Sequence, residues 1–181
     1  MEGFLDELAK ATPTPASGAA SCYVGAEAAA LLEMIAGFAV KKGQHSGEEL
    51  VGRGRELRHA FLGQAERDSA AYTQVISAYR LPKDTAGRDE AIAQALREAT
   101  LSPLAVLDLA IALIEAIREA EAICPKTMRS DWECAVVLCG AAVEVSAKNA
   151  AANFDGAAGV EDLRHQLDAK LRRLAELTPK V

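Results

Sequence analysis

Aromatic residues are few in this sequence, 4% by count, and no stretch reads convincingly as a strand. Alanine and leucine fill the apolar positions instead, which is the composition of an all-helical protein. Clustered Lys and Arg are also missing, and the net charge is −6. A nucleic-acid surface needs clustered positive charge to meet phosphate, so that partner class is excluded. The four cysteines, Cys22, Cys124, Cys134 and Cys139, form no CxxC pair. Cys134 and Cys139 are spaced to face different sides of a helix, which does not make a zinc site. In a reducing compartment all four read most simply as small core residues. The opening MEGFLDEL carries acids where a secretion signal carries basic residues, so the expected location is cytoplasmic. There is no internal repeat and no low-complexity linker. The chain therefore reads as a single helical domain over 1–181, long enough to bury a substantial core.

The stretch from Thr12 to Val40, TPTPASGAASCYVGAEAAALLEMIAGFAV, organises the rest. Its prolines and Ser17-Gly18 suit an extended loop and turn; then it runs apolar on every side, with Glu27 and Glu33 as its charges. The length approaches that of a membrane span, but each glutamate would cost a few kcal/mol in lipid. No membrane is therefore expected, and the segment reads as the buried, Ala-rich central helix of an up-and-down bundle.

A short helix over Gly3–Lys10 precedes it, and a polar turn over Lys41–Gly47 follows. Glu48–Leu81 is a long helical pattern stopped by Pro82, with a stripe of Leu57, Phe61, Ala65, Tyr72, Val75 and Tyr79. Asp68 falls in the gap of that stripe. A carboxylate there is costly unless paired, hydrogen-bonded or protonated. It is either held by a salt bridge or a neighbouring helix end, or it is a functional acid.

Asp84 or Thr85 is placed to cap a helix over Arg88–Thr100, and Ser102-Pro103 reads as the start of another, Leu104–Ala122. Ser130 and Glu133 fit a capping box opening a helix that runs to about Asn153. Along it, Asp131, Asn149 and Asn153 share a face with Ala135, Leu138 and Ala142. Asp131 is favourable in a first turn for purely electrostatic reasons. Two buried amides need partners, either another helix or a ligand. A loop over Phe154–Gly159 leads to a last amphipathic helix with Leu163, Leu167, Leu171 and Leu174 in line.

Taken in order, FLDELA, TPTP with glycine, the Ala-rich helix, Asp68 with Ala71-Tyr72 and AYRLPK, ATLSPL, Ser130-Asp131, then Asn149 and Asn153 resemble the cyclodeaminase/cyclohydrolase family. That family includes the C-terminal domain of formiminotransferase-cyclodeaminase and free-standing methenyltetrahydrofolate cyclohydrolases. The resemblance implies an all-helical homodimer that binds a tetrahydrofolate derivative as substrate, with no tightly bound cofactor and no metal. The implied activity is cyclodeamination of the formimidoyl form or hydrolysis of the methenyl form. It places Asp68, Asp131, Asn149 and Asn153 at polar positions of the site, with Ser130 and the Thr14, Ser17 and Gly18 loop beside them. Asp131 or Asp68 would be the general acid/base, because ring opening and closure move protons on and off nitrogen.

The first loop departs from the family's usual PTPGGG: Ala16 and Ser17 replace glycines, narrowing the backbone's approach to a ligand. Gly37 and Ala39 also stand where asparagine and threonine are usual. The alternative is thus a re-purposed or non-catalytic relative that binds another small molecule. A metal-binding bundle is a third class, from Glu56-x-x-His59 and Asp162-x-x-His165.

Overall fold

Residues 2–154 and 159–180 are described by a computed structural model, in which they form six α-helices and one 3-10 turn and no strand. The helices are α1 (Glu2–Leu8), α2 (Ser17–Lys41), α3 (Gly47–Tyr79), α4 (Arg88–Glu121), α5 (Arg129–Phe154) and α6 (Glu161–Leu177). The expected loop after Phe154 falls partly on residues 155–158, outside the described residues. Helix α2 packs against α3, α5 and α4; α4 in turn contacts α3, α5 and α6. The α2, α4 and α5 stretches are each long and apolar enough to cross a membrane by length and composition. Here their apolar sides meet one another.

Small residues decide how closely they meet. On α2, Ala19, Ala26, Ala28, Ala29 and Ala36 are buried, and α3 comes so near that its Phe61 ring lies over Gly25. A Cβ at Gly25 would stand 2.4 Å from that ring, which is itself fully buried. Large core side chains come from α2 itself at Leu32 and Ile35, and from Leu107, Leu113, Ile114 and Ile117 of α4, Trp132 of α5 and Leu163 of α6. Each such aliphatic side chain contributes about 1.5–3 kcal/mol on burial. Trp132 also donates its indole N–H to Ile117 O at 2.7 Å, so its polar atom is satisfied where water cannot reach.

Several expectations need correction. Helix α2 is not enclosed on every side, because α3, α4 and α5 cover only part of its circumference; Met34 and Phe38 are exposed and Glu27 is half-buried. Glu33, on the same helix, is held by Arg55 at 3.1 Å and Arg58 at 3.1 Å. The Arg88–Thr100 and Leu104–Ala122 segments are one helix, with Pro103 inside α4. The proline deletes one backbone bond, about 3 kcal/mol in an unsupported helix. Packing offsets it on both sides: Ile92, Leu96 and Ala99 join Val75 and Ala78 of α3, while Leu104 and Leu107 enter the main core.

Neither Asp84 nor Thr85 caps α4, whose N-cap is Gly87 at φ 76° without a side-chain bond. Instead Arg88 reaches back and donates to Leu81 O and Tyr79 O, both at 3.1 Å, satisfying the end of α3. Ser130 does not cap either. The 3-10 turn Lys126–Met128 runs straight into α5, so Ser130 lies within the helix and Glu133 pairs with Arg129 at 3.2 Å. Cys22 and Cys139 are buried as expected; Cys124 is half-buried, and Cys134 is exposed because it sits on the uncovered side of α5.

Gly25→Ala gains about 1 kcal/mol of helix propensity but forces the Phe61 ring to move in a closed core. Overpacking of that kind costs about 1–3 kcal/mol. The variant is therefore expected to have a lower urea midpoint than the natural protein; an equal or higher midpoint would show that the α2–α3 contact is loose.

Candidate active site

Where the N-terminus of α2 meets the middle of α3, a cleft of about 470 Å³ opens. Pro13, Thr14, Ser17 and Gly18 form one wall. Helix α3 contributes Asp68, Tyr72, Val75 and Tyr79, α4 contributes Leu96, Ala99 and Pro103, and the end of α5 contributes Asn149, Ala152 and Asn153. Thus Thr14, Ser17, Gly18, Asp68, Asn149 and Asn153, separated by up to 139 positions in sequence, share one space. Ser130 and Asp131 do not. They sit at the other end of α5, eighteen residues before Asn149 in the case of Asp131, which is about 27 Å along the helix.

Asp68 is the residue around which the cleft is built. Helix α2 begins after Ala16, which has no side chain able to cap it. The carboxylate of Asp68 takes that role from α3, accepting the N–H of Ala19. An anion at this point is favoured by the exposed N–H groups and by the helix dipole. Gly18 makes the approach possible, since a Cβ there would lie 2.2 Å from Asp68 Oδ2. Ser102 Oγ donates to Oδ1 from α4 at 3.0 Å. Burial pushes the carboxyl up, the Ser102 and Ala19 donors oppose it, and the balance stays above the ordinary aspartate range. Of the two readings of Asp68 in the sequence, a bond to a neighbouring helix end is therefore present.

Ser17, whose side chain was expected to narrow the ligand's approach, turns instead to α5 and donates to Asn149 Oδ1 at 2.9 Å. Among the described residues Asn149 Nδ2 is buried without a further partner, a donor in the wall of the cleft. Tyr72 and Tyr79 were counted in the core stripe of α3, but they are 42% and 50% exposed and face the cleft, whereas Phe61 and Val75 of the stripe are buried. Their sequence signal was the same period as the core's. The cleft is thus polar at the α2 end and apolar at the α3–α4 end. Among its described lining residues there is no Lys or Arg.

The acid/His pairs do not assemble a metal centre: Asp162 is engaged by Arg97 in a bidentate pair at 2.8 and 2.9 Å, and no group of three potential ligands occurs among the described residues.

A family model described as formiminotransferase-cyclodeaminase matches residues 1–173. The chain belongs to that family. It is 36% identical over 126 residues to methenyltetrahydrofolate cyclohydrolase of Methylorubrum extorquens, a match covering 61% of each protein, so it spans under two thirds of that relative's length. The fold is similar to the crystal structure of formiminotetrahydrofolate cyclodeaminase from Thermotoga maritima, with a TM-score of 0.89, 25% identity, and 98% of this chain and 91% of that one covered. This member of the formiminotransferase-cyclodeaminase family has an all-helical fold among its described residues, with Asp68 at the mouth of its second helix.

A carboxyl whose folded-state pKa is raised stabilises the protein below its unfolded pKa and loses that contribution as pH rises through the folded value. Asp68→Asn removes the ionisation. The variant's melting temperature, relative to the natural protein, is expected to be higher at pH 7–8 than below the ordinary aspartate range of about 3.9. A difference that does not change with pH would contradict the raised pKa.

Proposed function

We propose that the protein is a tetrahydrofolate one-carbon enzyme that opens or closes the 5,10-bridge, with Asp68 as its general acid/base. The observation that carries this reading is a single aspartate, held above its ordinary pKa, in a cleft whose described lining includes no cation. The names of its relatives, a methenyltetrahydrofolate cyclohydrolase and a formiminotetrahydrofolate cyclodeaminase, support the substrate class.

Methenyl-tetrahydrofolate is cationic at its bridge, so a cleft with a carboxylate and no Lys or Arg among its described lining favours it electrostatically. In hydrolysis, Asp68 takes a proton from water as the oxygen bonds to the bridge carbon, giving a neutral adduct. It then returns the proton to the departing ring nitrogen while the adduct's hydroxyl releases its own, so one proton is set free overall. In cyclodeamination, N10 attacks the formimidoyl carbon, whose imine nitrogen takes up one proton. The N10 proton passes to the carboxylate, which returns it to the amine so formed, and ammonia leaves the methenyl cation behind. Both need a carboxyl that changes protonation near working pH. The buried Asn149 Nδ2 donor matches an amide or carbonyl acceptor on the pterin, and Tyr72 and Tyr79 offer apolar faces to flat rings.

The exposed Met34 and Phe38 on α2 fit a homodimer contact, and Val137 of α5 is likewise exposed. The cytoplasm, where reduced cysteines persist, suits a chain whose four cysteines are all free.

Purified protein is expected to accelerate the loss of methenyl-tetrahydrofolate absorbance or the release of ammonia from the formimidoyl form. Asp68→Asn is expected to lower kcat by about 10²–10⁴, and Asp131→Asn, far from this cleft, to leave turnover within about threefold. Full activity in Asp68→Asn would overturn the assignment. Loss in Asp131→Asn would mean that a second copy completes the site. Neither turnover nor folate binding would transfer the cleft to another small molecule.

A further inference from the structure

Behind Asp68 lies a chain of hydrogen bonds that the sequence did not signal as functional. Helix α3 places Gln64 one turn before Asp68, and α4 places Ser102 opposite both. Gln64 Nε2 lies 3.0 Å from Ser102 Oγ, and Ser102 Oγ lies 3.0 Å from Asp68 Oδ1. Gln64 and Ser102 are 5% and 6% exposed, so water does not substitute for either bond.

The direction of the chain is fixed by chemistry. Gln64 Nε2 is also 3.4 Å from the Ser102 carbonyl oxygen. An amide oxygen there would face the Ser102 carbonyl oxygen, itself an acceptor, and compete with Asp68 for the one hydroxyl proton, so the nitrogen end is the one that fits. An amide nitrogen only donates; the Ser102 hydroxyl therefore accepts from Gln64, and its single proton is left for Asp68.

We propose that Gln64 and Ser102 are positioning residues that hold Asp68 Oδ1 as a permanent acceptor and confine the exchangeable proton of the carboxyl to Oδ2. This inference rests on the reading of Asp68 as the acid/base. It assigns the surrounding residues a role beyond packing: they set which oxygen faces the reaction and at what pH it is charged. Because a donor stabilises the charged form, removing the Ser102 hydroxyl makes Asp68 harder to ionise.

Other groups facing Asp68 do not confuse the readout. From α2 the titratable neighbour is Cys22, whose thiol is pushed up to about 12 by burial and then by the Asp68 charge, so it stays neutral. Helix α3 itself presents Tyr72, α4 presents Ser102, and α5 presents Asn149 and Asn153, none of them a carboxylate or a cation.

The test is the titration of Asp68 itself, followed by NMR in protein carrying carbon-13 at its aspartate carboxyls, with the signal assigned by its absence in Asp68→Asn. A bond from a neutral donor to a charged group is worth enough to shift the Asp68 midpoint upward by about one pH unit in Ser102→Ala. Ser102→Thr is expected to restore it, and Gln64→Leu to raise it by less, since the hydroxyl remains but is free to turn. The acid limb of the pH–rate profile should follow the same order. An unchanged midpoint in Ser102→Ala, or in Gln64→Leu should the serine variant not fold, overturns the proposal even if the enzyme is active. A shifted midpoint in a protein with no folate activity leaves the hydrogen-bond chain standing and removes the function assigned to it.

Discussion

The structure turns on one contact between helices: the carboxylate of Asp68, from the middle of α3, set against the first N–H groups of α2. Helix α2 starts after an alanine that cannot cap it, so its free N–H groups need an acceptor from elsewhere. Asp68 supplies one, but only because residue 18 is glycine. The same contact fixes the distance between α2 and α3 at the cleft, as the Gly25–Phe61 contact fixes it two turns further on. Close approach of the two helices and placement of the acid are therefore one constraint.

That constraint carries a cost which the fold accommodates locally. A half-buried carboxylate is less stable charged than it would be in water, and its two donors reduce the penalty without removing it. Nothing cationic among the described residues lines the cleft to pair with it. Glu33, lower on α2, shows the opposite solution: burial there raises its pKa too, but Arg55 and Arg58 outweigh it and hold the group below the usual range. One acid on the helix pair is neutralised by arginines and the other is left able to change charge. The difference in partners is the physical content of the functional assignment.

Much of this was legible in the sequence. Apolar spacing located α3, α5 and α6 to within a few residues, and the order of short motifs pointed to the family that residues 1–173 match. Asp68 stood out because it interrupted a stripe. What was not legible depended on contacts between distant segments. Pro103 looked like a helix start because its own chemistry favours one, and only packing on both flanks shows why α4 continues through it. Tyr72 and Tyr79 share the period of the core, and a cleft rather than a neighbouring helix lies in front of them. Asp131 shares a face with Asn149 by periodicity, yet a helix face is long and the two ends of α5 serve different places. Ser102 read only as a helix start within ATLSPL and Gln64 was not singled out, since a buried hydroxyl and amide take their meaning from the carboxylate they reach.

The central claim, that this cleft holds a folate with its one-carbon bridge at Asp68, is tested most directly by a crystal structure with a stable folate such as 5-formyl-tetrahydrofolate. The account predicts the pterin between the α2 loop and Tyr72, an acceptor on Asn149 Nδ2, and the one-carbon group within about 3–3.5 Å of an Asp68 oxygen. A folate bound elsewhere, or bound here with its one-carbon group turned away from Asp68, would contradict it.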